Sequence, residues 1–474
     1  MLKLRMQPGV SSLKIMVFSS ISTIARDKPL IVAWVVFALF SAGASIFVQF
    51  LALPVFAPAL HAGHGLLVAS DAVSYHAIAS GVADSIRQVG WSAWSLAPQG
   101  QTAAGLAVPF YYLFAPAPWS LIPINAALHA TAGTIVMQLL RQLDVDWKIA
   151  FTGAALWVGL PSSLQWVAQI QKGGYFFAGM LGALLGFSMI LRIVCAKSDA
   201  PALGHAVGLL VAGITVAGLA LPYGFQLLQV IAIIFALFAI PIALVNARRG
   251  ILAVAPCVAV LGTLVVTAAA LGFAPRDSRL EPVVLAPAAA ATPAAALDGP
   301  VDGKSWQPSA MLPAFVDGAF MRLAVARRAY LSESYLSAGS MIDLDLQFHS
   351  VRDVLAYLPR AVQIGFLAPF PAQWATQGAS PAGTVMRLAA AFEMCMLYPL
   401  LILGLPLAAL RWRARPEFWL IAAFCTFFVV TYACVTPNIG SLYRMRYGFL
   451  MTLAAIGMAA LWCAVRERHN RRGI

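Results

Sequence analysis

The sequence predicts an all-α polytopic membrane protein, with about ten transmembrane helices and two long loops on one face. Three observations predict it. Hydrophobic residues make up 61% of the 474-residue chain and charged residues only 10%, with a mean hydropathy of +0.83. A soluble domain is nearer half apolar and about a quarter charged. Apolar runs of about 20 residues, enough to cross a bilayer, recur along the whole length. Basic residues gather at the ends of alternate runs, as they do on the cytoplasmic side of membrane proteins.

The predicted spans lie near 30–52, 118–140, 149–164, 174–194, 203–221, 223–245, 250–273, 385–410, 417–435 and 447–465. The start is basic (Lys3, Arg5, Lys14, Arg26, Lys28), but the apolar run after it is long and lacks a cleavage site. It reads as a first span rather than a signal peptide. This count puts both ends on one side. Arg141 and Lys148, Arg192 and Lys197, Arg248 and Arg249, Arg411, Arg413 and Arg415, and Arg466, Arg468, Arg471 and Arg472 then share that side. The positive-inside rule places both termini in the cytoplasm, and the expected location is the cell inner (plasma) membrane. The net charge of +13 is thereby a topology signal, which argues against nucleic acid as a partner. The six cysteines, Cys195, Cys257, Cys395, Cys425, Cys434 and Cys463, fall in or at apolar spans without paired spacing, as buried thiols do.

Two outer segments, 53–117 and 274–384, are too long to be turns, and loops of that length are usually functional. They divide the chain into a transmembrane module 1–273, the loop 274–384 and a transmembrane module 385–474. In the first loop, Asp71 to Gln88 reads as an interfacial helix with Asp71 at its N-cap. The apolar piece 102–114 is too short to span and reads as interfacial or re-entrant. Trp91, Trp94, Tyr111, Tyr112 and Trp119 suit an aromatic belt. The second loop opens with a Pro/Ala-rich tract, 274–300, that cannot build a core. An amphipathic helix over 313–331 follows. Ser350 and Asp353 form a capping box for a short helix ending at Tyr357, before Pro359 and an interfacial run from Ala361 to Phe370.

Asp71 is the leading candidate for chemistry, as a base or a ligand orienting an acceptor hydroxyl; a plain helix cap is the competing reading. Asp84 lies behind it, and His61, His64 and His76 surround it in sequence. Three imidazoles and a carboxylate are donors that a divalent metal accepts. Their spacing matches no metal motif, so the site is expected to work without one, a divalent ion being the lesser alternative. Arg444 and Arg446, flanked by Tyr443 and Tyr447, sit on the outer side, where arginine is disfavoured. Arginine suits bidentate phosphate recognition, and snorkelling to the headgroups is the bland alternative. Arg360 is the strongest of the further outer cations, which include Arg327, Arg328 and Arg387. Lys172 lies in a polar turn with Gln165, Gln169 and Gln171, either a sugar- or diphosphate-binding turn or an interfacial cap. Glu393 is placed inside a span, where an acid is a functional candidate by default, facing the same cavity or pairing with Arg387.

An aspartate after the first span, followed by Tyr75, a Pro161-Ser162-Ser163 turn reaching Trp166, a large second outer loop and an arginine pair near the last span resemble the GT-C class of membrane glycosyltransferases. That class includes the protein O-mannosyltransferases and the lipid A aminoarabinose transferases. The resemblance implies a GT-C-like fold. It also implies transfer of a sugar from a polyprenyl-phosphate-linked donor to a glycan, lipid or protein acceptor on the outer face. By resemblance Asp71 activates or positions the acceptor, with Tyr75 beside it. Arg444, Arg446 and Arg360 hold the phosphate; Lys172 and Tyr443 are further candidates for substrate contact, and Asp84, His76 and Glu393 are accessories. Two features depart from the class: Lys172 and Gly173 stand where many members carry a second acid, and no large soluble C-terminal domain follows. The alternatives are a polysaccharide polymerase or ligase using polyprenyl-diphosphate glycans, a lipid-linked sugar transporter or flippase, and a non-catalytic scaffold.

Overall fold

A computed structural model of the chain describes residues 28–195 except 69, 202–221, parts of 227–239, 306–331, 340–378 and 381–471. The expected spans 223–245 and 250–273 lie largely or wholly outside the described residues, as do the Pro/Ala tract and the basic start up to Asp27. Among the described residues, seven helices are long and apolar enough to cross a membrane. In chain order the helices are α1 (Pro29–Phe47, running on through a wider π-type turn to Phe56), α2 (Asp71–Val89), α3 (Thr102–Leu113), α4 (Ile122–Gln142), α5 (Trp147–Gly159), α6 (Pro161–Val167), α7 (Gly173–Val194) and α8 (Ala202–Ala220). They continue with α9 (Ala314–Ala329), α10 (Val351–Leu367), α11 (Pro381–Pro399, continuing to Arg411), α12 (Pro416–Val435) and α13 (Ile439–Arg471).

Two sequence expectations change. The run 149–164 is not one span: α5 stops at Gly159, and Leu160 is extended (φ −74°, ψ 148°). Pro161 is the cause, because a residue before proline is pushed out of helical backbone. In the second loop, helix α10 does not end before Pro359 but runs through it to Leu367, opened by the predicted capping box. Packing of its buried face (Val354, Tyr357, Ala361, Ile364) outweighs the one backbone bond that proline removes.

Side chains from helices before and after the second long loop share one core, in which Phe428 stacks on Phe449 with ring centroids 4.4 Å apart. Lipid tails give no hydrophobic drive between helices, so close approach of small residues has to supply dispersion contact. Helices α7 and α8 meet this way: a Cβ on Gly179 would lie 2.5 Å from the Ala217 nitrogen, and one on Gly213 2.5 Å from the Ala183 nitrogen. In the first long loop α2 and α3 pack by the same means, burying Ala72, Ala79 and Ala83 with Ala103, Ala104 and Ala107.

The charges mark two ends of the bundle. At one end Arg415 pairs with Asp144, Arg411 with Glu467 (2.7 Å) and Arg466 with Asp146 (4.0 Å), while Arg192 donates to the Gln142 carbonyl (3.0 Å). Four of the basic residues that the sequence puts on one side, Arg192, Arg411, Arg415 and Arg466, thus gather there with Asp144, Asp146 and Glu467 among them. From Arg444 to Arg466, α13 covers roughly 33 Å, close to the ~30 Å hydrocarbon core. Arg444 therefore belongs to the opposite end, with the long loops.

Candidate functional site

The site is assembled from opposite ends of the chain. Arg444 Nη1 donates to Asp71 Oδ2 at 3.0 Å, across 373 residues of sequence, with about a third of each side chain exposed. Asp71 is the first residue of α2, and Ser70 is the N-cap, so Asp71 does not cap the helix. Its carboxylate is committed to a tertiary contact, and the plain-cap reading fails on geometry. Tyr75, one turn on, shares the Asp71 face of α2 and is buried. Burial pushes its hydroxyl pKa up, with Asp71 adding to the shift and Arg444 opposing it, so Tyr75 is a neutral hydroxyl at physiological pH.

Lys172, the N-cap of α7, is half-buried within electrostatic reach of both Asp71 and Arg444. Burial lowers its pKa; Asp71 pulls it up and Arg444 pushes it down. The polar turn that carries Lys172 is also what docks the first loop. Gln169 Oε1 accepts from the Leu67 N–H (3.0 Å) and its Nε2 donates to the Gly65 carbonyl (3.1 Å), just ahead of Asp71. Asn125 Nδ2 holds the turn from α4 through the Val167 and Gln169 carbonyls (3.0 and 3.1 Å).

Tyr330, at the C-cap of α9, comes from the second loop and is a residue that sequence reasoning missed. Its hydroxyl approaches Met445 Sδ (3.6 Å), and it feels the charges of Arg444 and Asp71. Burial leads the causes that push it up to about 12. No signal in its local sequence separates it from an ordinary helix-end tyrosine. The second loop is fixed beside it by backbone bonds, Ile342 N–H to the Pro437 carbonyl and Ile439 N–H to the Ser340 carbonyl, both 2.9 Å.

The other predicted residues go elsewhere. Arg446 is 1% exposed and donates to the carbonyls of Ile364 (2.7 Å), Gly365 and Ala368 at the end of α10. Residues two apart on a helix point about 200° apart, so the arginine pair cannot converge on one group. Arg360 is held bidentately by Asp343 (3.0 and 3.1 Å), which also accepts from the Tyr357 hydroxyl (2.9 Å). Burial pushes the Asp343 carboxyl up, but the bonds from Arg360 and Tyr357 and the charges of Arg360 and Arg327 outweigh it and hold it below the usual carboxylate value. Arg327, nearly fully buried, braces this cluster through the Asp343, Leu346 and Cys434 carbonyls.

Tyr443 and Glu393 are buried together, away from the surface: Glu393 Oε2 accepts from the Ser162 N–H at 2.7 Å. Arg387 is not its partner in this bond but donates to Thr376 and to the Gln377 carbonyl (3.1 Å). Asp84 pairs with Arg87 on the exposed face of α2 (2.6 Å). His76 Nδ1 bonds the Tyr111 hydroxyl at 2.8 Å and its ring lies tilted beside that of His64 (centroids 5.2 Å apart), while His61 Nε2 accepts from the Gly65 N–H (2.9 Å). Burial first, and the nearby His64 second, lower the pKa of His76. The three histidines and Asp71 therefore do not converge, and among the described residues no group of three or more His, Cys, Asp or Glu side chains is placed to hold a metal ion.

The assembled site holds two cationic side chains, one carboxylate and two neutral phenols, at the membrane end of the bundle. Chemically it can bind an anion and offer one carboxylate to a hydroxyl.

No protein-family model matches the chain, and no curated protein matches it. Among solved structures it is similar to the archaeal oligosaccharyltransferase AglB from Archaeoglobus fulgidus, solved with an inhibitory peptide and a dolichol-phosphate, at a TM-score of 0.46 and 15% identity. The match covers 95% of this chain and 52% of that one, so the chain spans about half the length of that protein. A likeness this weak decides nothing about the chemistry.

Proposed function

We propose that the protein is an integral-membrane glycosyltransferase that moves a sugar from a polyprenyl-phosphate-linked donor to a glycan, lipid or protein acceptor at the outer face of the inner membrane. Both termini lie in the cytoplasm on this reading. The observation that carries it is the Asp71–Arg444 ion pair, with Lys172 in electrostatic reach, at one end of a bundle of membrane-length helices. A lipid-phosphate donor needs cations at headgroup depth for the leaving phosphate and a carboxylate beside the acceptor hydroxyl. Lys172 and Arg444 supply the first, and Asp71 the second. In the resting arrangement Asp71 holds Arg444; a bound phosphate competes for that guanidinium and frees the carboxylate for the acceptor. Tyr75 and Tyr330, both neutral, furnish hydroxyls to the walls of the site. Arg360 and Arg446 brace the second loop on this reading and do not touch the phosphate.

The test is transfer from a panel of polyprenyl-phosphate hexoses by the purified protein in lipid. Asp71→Asn is expected to abolish transfer while the protein still folds. Transfer retained in that variant would remove Asp71 from the chemistry.

A further inference from the structure

Glu393 is a carboxylate with none of its surface exposed, in a membrane-spanning helix, and the chemistry above does not use it. An acid at such a place is costly unless it is tied down. Its Oε2 accepts from the Ser162 N–H at 2.7 Å, at the start of α6. Tyr443, the Ser162 hydroxyl and the Arg446 guanidinium are its other polar neighbours. From Ser162 the chain runs through α6 directly to Lys172. That stretch is gripped at its far end by Gln49 Nε2 on the Ala168 carbonyl (2.7 Å) and by Asn125. Glu393 is the corresponding grip at its near end. The lever so defined ends on the cation beside Asp71 and Arg444, and its Gln169 holds the loop that leads into Asp71.

We infer that Glu393 is a positioning residue: its buried carboxylate clamps the start of the Pro161–Lys172 segment and thereby sets Lys172 in the anion site. The part of this that concerns the donor rests on the proposed function; the clamp itself does not. What matters is reach, since an acceptor oxygen must arrive at the Ser162 N–H. Two conservative variants separate reach from charge. Glu393→Gln keeps the reach and loses the charge, and Glu393→Asp keeps the charge and loses the reach.

The experiment uses the full chain in detergent, with two readouts. Amide hydrogen exchange over 162–167 is expected to quicken about tenfold in Glu393→Asp and to stay within about threefold of wild type in Glu393→Gln, as for a local opening. Affinity for a long-chain polyprenyl phosphate is expected to fall about tenfold in the Asp variant and less than about threefold in the Gln variant. Wild-type exchange in Glu393→Asp would overturn the inference. So would equal loosening in both variants, or loosening spread evenly through α4 and α7. If no form of the protein takes up the polyprenyl phosphate but the exchange pattern is as expected, the donor reading fails and the clamp stands.

Discussion

Replacing Asp71 by Asn removes one charge and almost no volume, so its consequences for folding and for chemistry can be separated. The folding cost is bounded by the pair it breaks. Two unit charges about 4 Å apart attract by about 4 kcal/mol at an effective dielectric of 20. The Asp71 and Arg444 side chains are 33% and 27% exposed, however, and water screens them. Exposed pairs measure about 0.2–1 kcal/mol, so a pair about one-third exposed should be worth about 1 kcal/mol. The amide can still accept from Arg444, which lowers the loss further. A loss of that size moves the melting temperature of a chain this long by only a few degrees.

The catalytic cost is expected to be larger. A positioned general base contributes roughly 100- to 10,000-fold, which is about 3–5 kcal/mol of barrier at 1.36 kcal/mol per tenfold. The assay compares kcat for transfer with the melting temperature of the same preparation. Expected is a fall in kcat of at least about 100-fold with the folded fraction intact. An Asn variant within about tenfold of wild type, or one whose lost activity follows its lost folded fraction, would refute the assignment and leave the ion pair a structural clip.

Three further outcomes follow from the same geometry. Burial depresses the Lys172 pKa and so favours the neutral amine. Polyprenyl phosphate binding should therefore weaken as pH rises, starting below the ordinary lysine range of about 10.4; Lys172→Arg should carry that weakening to higher pH, and an unchanged profile would exclude Lys172 from the anion site. The two neighbouring arginines should differ in kind. Arg446→Leu removes the donor to the buried Gly365 and Ala368 carbonyls, at about 1–3 kcal/mol for each bond left unmade, and should lower the melting temperature far more than Arg444→Leu, which should chiefly cost phosphate affinity. Asp343 has a depressed folded pKa, so its contribution to stability is present above the usual carboxylate pKa of about 3.9 and is lost as pH falls through the folded value; Asp343→Asn should flatten that acid limb of the melting curve, and a variant as acid-sensitive as wild type would show that the limb comes from other carboxylates.

What the sequence made legible and what it hid have a common physical origin. Apolar length is a property of each segment, so the described spans could be read one at a time, and the capping box at Ser350 was readable because its two residues bond to each other. Pro161 and Pro359 show where a local rule stops. One ends α5, and the other is overridden by the buried face of α10. The proposed anion site was half legible. Asp71, Tyr75, Lys172 and Arg444 stood out because charge and aromatic side chains are conspicuous in an apolar chain. Arg446 stood out equally, and only the start of α13 at Ile439 reveals that it faces away from Arg444. Asp343 and Tyr330 were invisible because nothing nearby in sequence specifies their partners. Glu393 was conspicuous, but the group it bonds was not. Pairing with Arg387 was one reading of it, whereas its closest bond is to the Ser162 backbone N–H, with the Arg446 guanidinium as a further neighbour. In a bilayer that preference has a simple cause. A charge brought to satisfy another charge must itself be desolvated, while a backbone N–H at a helix start is already present and already lacks an acceptor. Intramembrane acids near helix breaks are therefore to be matched against the first-turn amides of the broken helix as well as against arginines distant in sequence.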